Sequence, residues 1–115
     1  MRVYYVHWDE AEAKQRARVL EERGHEVEVH WDTGTHAKLK APLPDVLVIS
    51  LDRLPSHGRE IAEWLWEAKK RQHIPIVFEG GAGGKIEVTR AKFPRARFCP
   101  TGGVARVLEE IAKEM

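Results

Sequence analysis

One tetrapeptide occurs twice and places a histidine and an aspartate at matching points of the chain. Val-His-Trp-Asp stands at positions 6–9 and again at positions 29–32. Both copies close short runs with strand character, and neighbouring strands of a sheet lie about 5 Å apart. Imidazole and carboxylate groups bind Zn²⁺, and carboxylates bind Mg²⁺. The sequence therefore predicts a candidate metal site of His7, Asp9, His30 and Asp32, with Asp52 as a further carboxylate. In the alternative, each Trp packs under a loop and each Asp caps the element that follows.

Two glycine-rich turns could bind an anion through backbone N–H groups. Residues 79–85 are Glu-Gly-Gly-Ala-Gly-Gly-Lys, and residues 101–103 are Thr-Gly-Gly. The first turn is not a Walker A loop, because its spacing is one residue short and no Ser or Thr follows Lys85. A glycine-rich turn at a helix N-terminus can still hold an anion. The candidate anion-binding residues are Gly80, Gly81, Gly83, Gly84, Thr101, Gly102 and Gly103. In the alternative, these glycines only permit tight strand-to-helix turns.

A candidate interaction surface combines two tryptophans with a basic segment. Trp64 and Trp66 are two residues apart on a predicted helix, about 200° around its axis. We therefore expect one of them to be substantially exposed, where it could contact another protein. Packing against a neighbouring loop is the alternative. Arg95 and Arg97 belong to a basic run that equally suits a solvated edge strand.

Composition excludes several classes of function. Nineteen basic and eighteen acidic residues give a net charge of +1, which disfavours nucleic acid as a partner. No run is apolar enough to span a membrane. Cys99 is the single cysteine and the N-terminus enters a strand directly, so we expect a cytoplasmic protein without a signal peptide. Abundant charge with no Asn is typical of a thermostable surface.

Periodicity predicts an alternation of strands and helices along one domain, residues 1–115. The predicted strands are 2–8, 25–31 (an edge strand, from its alternating pattern), 45–51, 74–78 and 96–99. The predicted helices are 10–23, 59–72, 85–91 and one that begins near Val104. Residues 33–43 predict a loop or a poorly formed helix. This order favours an α/β fold with a three-layer, doubly wound, parallel five-stranded sheet in the order 2-1-3-4-5.

Two segments resemble the receiver domain of response regulators, the CheY-like version of the flavodoxin-like fold. They are Glu-Glu-Arg-Gly-His-Glu-Val at 21–27 and the stretch from Pro44 to Phe78. The resemblance implies an acidic pair after strand one that holds Mg²⁺ and an aspartate ending strand three that accepts a phosphoryl group. It also implies a Ser or Thr after strand four, and a Lys before a Pro after strand five.

This chain departs from that pattern at each of these positions. His7 and Trp8 replace the acidic pair, and the acceptor position falls on Ser50 or Leu51, with Asp52 as the nearest carboxylate. The Ser/Thr position holds Gly80, and Cys99 precedes Pro100 in place of the lysine. We therefore expect a degenerate receiver that lacks aspartyl phosphorylation and needs no cofactor.

The resulting functional prediction is a non-enzymatic signalling module. It would bind a protein partner or a second copy of itself through the last two helices and strand five, as the resemblance implies. The alternative is a flavodoxin-like binding protein or enzyme that binds a small anion or a metal at the carboxyl ends of the strands.

Overall fold

The computed structural model describes residues 1–32, 39, 42–53 and 55–115. Five strands are found there: β1 (Arg2–Val6), β2 (Glu26–His30), β3 (Val46–Ser50), β4 (Ile76–Glu79) and β5 (Arg97–Cys99). The same residues contain four helices: α1 (Glu10–Glu22), α2 (Pro55–Glu67), α3 (Gly83–Lys92) and α4 (Val104–Glu114). The predicted loop at 33–43 falls largely outside the described residues. None of the described helices is long and apolar enough to cross a bilayer.

The strands form one parallel sheet in the order β2-β1-β3-β4-β5, which confirms the predicted fold class. Strand β2 lies at the edge, as its alternating sequence predicted, and its residues are partly or fully exposed. Strand β3 lies in the centre and all five of its residues are buried. Parallel strands covered on both faces are expected to be almost continuously apolar, and β3 is apolar up to its last residue, Ser50.

Each face of the sheet carries its own hydrophobic core. Tyr4 and Val6 of β1 belong to the core that packs against α2, whereas Val3 and Tyr5 belong to the core under α4. This division follows from the two-residue period of a strand, which sends successive side chains to opposite faces. The alternation also determines which polar residues beyond β1 can meet.

Helix α1 begins and ends where the sequence predicted. The Asp9 carboxylate accepts a hydrogen bond of 2.9 Å from the N–H of Glu12, so Asp9 is the N-cap residue. Gly24 follows the last turn with a φ of 92°, in the left-handed region that favours glycine. Ala13, Ala17 and Leu20 are the buried residues of the helix.

The predicted boundaries of α2 were wrong by four or five residues. The helix begins at Pro55 rather than residue 59, because proline suits the first helical turn. It ends at Glu67 rather than residue 72. Beyond this end, the Arg71 guanidinium donates a hydrogen bond of 2.8 Å to the carbonyl of Trp64 in the last turn. Gly58 lets the helix approach the sheet, since a Cβ at that position would lie 2.6 Å from the Ile49 side chain.

Candidate functional site

The carboxyl ends of the central strands bring together side chains that lie far apart in sequence. Ser50 pairs with Glu79, and Glu79 pairs with Cys99, so the loops after β3, β4 and β5 leave the sheet side by side. Glu79 is the last residue of β4 and is only 2% exposed. A carboxylate this deeply buried requires charged or hydrogen-bonding partners, because its desolvation is costly.

The cation that faces Glu79 comes from helix α1. Nη1 of Arg16 lies 3.3 Å from Glu79 Oε1 and 3.4 Å from Asp52 Oδ2. The same nitrogen is 3.5 Å from the Tyr5 hydroxyl, which donates a short hydrogen bond to Glu79. One guanidinium nitrogen therefore contacts two carboxylates and a phenol.

Two loops donate to the same pair of carboxylates. The Gly81 N–H donates to Asp52 Oδ1 at 2.9 Å, and the Thr101 hydroxyl donates to Asp52 Oδ2 at 3.0 Å. The Gly102 N–H donates to Glu79 Oε2 at 2.9 Å. We call Tyr5, Arg16, Asp52, Glu79 and Thr101, with these two N–H groups, the rim network. It joins α1, β1 and the loops after β3, β4 and β5.

The network shifts the pKa values of Asp52, Tyr5 and Arg16. Burial would raise the pKa of Asp52, but the Gly81 N–H, the Thr101 hydroxyl and the Arg16 guanidinium outweigh it and lower that pKa. Burial and the neighbouring Glu79 charge raise the pKa of Tyr5. Burial would lower the pKa of Arg16, yet its bonds to Tyr5, Glu79 and Asp52 raise it. Asp52 and Arg16 are therefore charged, and Tyr5 stays a hydrogen-bond donor.

Sequence reasoning missed Tyr5, Arg16 and Glu79, the three residues at the centre of the network. The available signal was a glutamate at the end of the otherwise apolar strand Ile76–Glu79. Arg16 gave no comparable signal, because an arginine on an amphipathic helix is usually solvated.

The structure does not bring the predicted metal ligands together. His7 is fully buried and stacks on Tyr5, on the α4 face of the sheet, with ring centroids 6.2 Å apart. His30 instead lies beside Tyr4 and Trp8, on the α2 face. Strand alternation therefore separates the two imidazoles. Asp9 caps α1 and Asp32 is exposed after β2.

The two histidines are neutral side chains in separate surroundings. His7 Nδ1 accepts from the Asp9 N–H at 3.1 Å, and Nε2 lies 3.1 Å from a Glu12 carboxylate oxygen without hydrogen-bond alignment. Burial and the Arg16 charge lower the pKa of His7, and burial lowers that of His30. Over the described ranges, no group of three or more His, Cys, Asp or Glu side chains is placed to hold a metal ion.

The candidate anion-binding turns do donate to anions, but these are the chain's own carboxylates. Gly81, Gly102 and Thr101 are bonded to Asp52 and Glu79 as described above. The Gly80 N–H donates to the Cys99 carbonyl and the Gly103 N–H to the Pro100 carbonyl, both at 2.9 Å. Gly83 and Gly84 form the first turn of α3. Cys99 is half-buried, and burial followed by the Glu79 charge raises the pKa of its thiol to about 12.

The positions that would hold Mg²⁺ and accept a phosphoryl group in a receiver do not fit that chemistry here. His7 and Trp8 stand where the acidic pair is expected, and they point to opposite faces. Ser50 is fully buried and its Oγ accepts from the Asp52 N–H at 3.3 Å, while Leu51 is 2% exposed. Mg²⁺ requires several oxygen ligands in octahedral geometry, which this set does not supply.

The predicted interaction residues pack against their own chain. We expected one of the two tryptophans to be substantially exposed, but Trp64 and Trp66 are both half-buried. The Arg71 guanidinium lies 4.1 Å from the Trp64 ring centroid, and that of Arg95 lies 4.5 Å from a Trp66 ring centroid. Trp66 also donates to the Ile74 carbonyl at 2.8 Å and packs on Phe93. We call these two tryptophans, Phe93 and their two arginines the aromatic cluster.

No protein-family model and no curated protein matches the chain. Among solved structures, a receiver domain of a DNA-binding response regulator from Colwellia psychrerythraea 34H superposes with a TM-score of 0.77 at 11% identity, over 98% of both chains. The chain has the receiver fold.

Two further solved structures support the fold and show how little it says about function. The phosphorylated cyanobacterial phytochrome response regulator RcpA gives a TM-score of 0.67 at 15% identity, over 96% of this chain and 89% of that one. A de novo designed Rossmann 2x3 protein gives 0.72 at 17% identity, over 98% and 90%. Because a designed protein shares the architecture, function must be argued from the site.

Proposed function

We propose that the chain is a receiver-like signalling module that binds protein through a fixed surface and is not switched by aspartyl phosphorylation. The observation that carries this proposal is the state of Asp52. One oxygen of its carboxylate accepts from the Gly81 N–H, and the other accepts from Thr101 and faces Arg16. Attack on a phosphoryl donor needs a free carboxylate oxygen and a metal that neutralises the transferred group.

The surface that we propose consists of α3, β5 and α4. Val88 on α3 is a large apolar side chain that is 47% exposed. Arg90 covers the Phe98 ring at 4.6 Å, and Arg97 forms ion pairs with Glu110 and Glu114 of α4. We propose that Val88 forms the apolar centre of an interface and that the charged residues of β5 and α4 form its polar rim. We propose a second copy of this chain as the occupant, since both charge signs lie on the same face.

The absence of phosphorylation can be tested with a small-molecule phosphoryl donor. The purified chain and its Asp52→Asn variant are incubated with acetyl phosphate and Mg²⁺, and intact mass is measured. We expect no added phosphoryl group on either protein. A Mg²⁺-dependent gain of one phosphoryl group that disappears in Asp52→Asn would contradict the proposal.

The surface can be tested with two valines of almost equal exposure. Val88 is 47% exposed on α3, and Val19 is 49% exposed on α1, across the sheet. We expect Val88→Glu to weaken self-association at least about tenfold, since a buried unpaired charge opposes an interface. Val19→Glu serves as the control and should leave it unchanged. Equal effects of the two substitutions in sedimentation equilibrium, or a monomeric parent chain at millimolar concentration, would exclude this surface.

A further inference from the structure

Asp52 and Glu79 each direct a carboxylate oxygen at the same position, as ligands do toward a cation. An oxygen of each carboxylate lies within 3.4 Å of the same guanidinium nitrogen. Two carboxylates held this close repel each other unless a positive charge lies between them. Glu79 is almost completely shielded from water, so an ion from solvent would have to lose its hydration to supply that charge, which is energetically costly.

Arg16 reaches this position because of where it lies on α1. It is flanked along the helix by Ala13 and Ala17, which are both buried and small. Residues three and four apart share a helix face, so the short alanines let the helix lie close to the sheet while Arg16 extends toward the strand ends. A guanidinium stays charged at all ordinary pH values and offers five N–H donors, which suits several acceptors at once.

We infer that the Arg16 guanidinium takes the place of a bound cation between Asp52 and Glu79, and that it holds the loops after β4 and β5 in one arrangement. The loops are coupled to it through the carboxylates: Gly81 and Thr101 donate to Asp52, and Gly102 donates to Glu79. The inference rests on the proposed function in that it names what keeps the surface fixed. It has two consequences: the natural chain ignores divalent cations, and removal of the guanidinium uncovers a two-carboxylate site that binds them.

The first consequence is tested by paramagnetic broadening in the natural chain. Mn²⁺ is added in sub-stoichiometric amounts while the amide signals of Gly81 and Gly102 are followed by NMR. We expect both signals to keep their intensity relative to the amides of α2. Selective loss of these two signals would show a cation entering beside Arg16 and would overturn the inference.

The second consequence is tested with Arg16→Met, with Arg16→Gln as a second variant in case the first does not fold. Mg²⁺ at 10 mM, against KCl of equal ionic strength, should raise the melting temperature of the variant by at least about 3 °C and leave the natural chain unchanged. Adding Glu79→Gln should abolish this response. A variant that folds and ignores Mg²⁺ and Mn²⁺ would overturn the inference. Phosphoryl transfer is measured separately, so the proposed function can fail while this inference stands, and the reverse.

Discussion

The rim network and the aromatic cluster both contain arginines, but they use them in different ways. In the rim network Arg16 faces two carboxylates, and its side chain is 25% exposed beside a Glu79 that is 2% exposed. In the aromatic cluster Arg71 and Arg95 lie over half-buried indole rings near the surface. The Arg16 guanidinium neutralises the buried Glu79 carboxylate, whereas Arg71 and Arg95 lie over aromatic rings, and Arg71 also donates to the Trp64 carbonyl.

This difference predicts how each region responds to change. Removing a partner from a buried charged network leaves an unpaired charge or donor, which costs about 3–5 kcal/mol. Removing a guanidinium from the face of an aromatic ring near the surface reduces stability by about 0.5–1 kcal/mol. We therefore expect substitutions in the rim network to cost more stability than substitutions in the aromatic cluster. The following predictions test the contrast, beginning with the largest effect.

Glu79→Ala should reduce the free energy of unfolding by about 3 kcal/mol, measured by urea denaturation. The substitution leaves the Tyr5 hydroxyl and the Gly102 N–H without their acceptor and removes one of the two carboxylates that face Arg16. Glu87→Ala, at an exposed position of α3, is the control and should change stability by less than about 0.5 kcal/mol. Similar losses of unfolding free energy in the two variants would show that the buried Glu79 contributes no more to stability than the exposed Glu87.

Gly80→Ala should cost about 2 kcal/mol, because a Cβ would lie 2.3 Å from Asp52 Oδ1 and 2.6 Å from Thr101 Oγ1. Gly24→Ala is a matched control. Gly24 also has a positive φ, 92° against 73° at Gly80, but no atom lies within 4 Å of a Cβ added there. Backbone strain alone should cost it about 1 kcal/mol. If both variants lose the same stability, crowding of the rim network contributes nothing.

Acid should weaken the rim network through Asp52. Its pKa is lowered in the folded protein, so its contribution is complete above the unfolded pKa near 3.9 and is lost as pH falls through the folded pKa. The difference in unfolding free energy between the natural chain and Asp52→Asn should therefore shrink from pH 6 to pH 2. A difference that stays constant over this range would show that the ionised carboxylate is not what stabilises the fold.

Arg95→Gln should have the smallest effect, about 0.5 kcal/mol, since it removes one guanidinium from the Trp66 ring. Tryptophan fluorescence should change while the denaturation midpoint hardly moves. A loss above about 2 kcal/mol would mean that the aromatic cluster is as critical to the fold as the rim network.

The sequence predicted the fold well because strand burial and helix periodicity are local signals. The alternation of strands and helices along the chain favoured the parallel order, and the Asp9 cap and the Gly24 stop placed the ends of α1 within one residue. The predicted end of α2 was wrong because the true end involves Arg71, which lies outside the helix and donates to the carbonyl of Trp64 within it.

The candidate site was predicted only in part, because its contacts are long-range. Asp52 was named as a candidate metal ligand, and Gly81, Thr101 and Gly102 as candidate anion-binding residues or simple turn residues, but the ion pair that joins this edge was not predicted. The true partner, Arg16, lies 36 residues from Asp52 and 63 from Glu79. Its approach depends on how closely α1 packs, which residue spacing alone does not specify.

The central claim is that Arg16 and the buried Glu79 carboxylate are energetically coupled, and a double-mutant cycle measures this coupling directly. The cycle compares the natural chain with Arg16→Met, Glu79→Gln and the double variant by urea denaturation. We expect the double variant to be more stable than the sum of the single losses predicts, by about 1–3 kcal/mol. Losses that add within about 0.3 kcal/mol would show that the guanidinium and the carboxylate act independently, and the claim would be wrong.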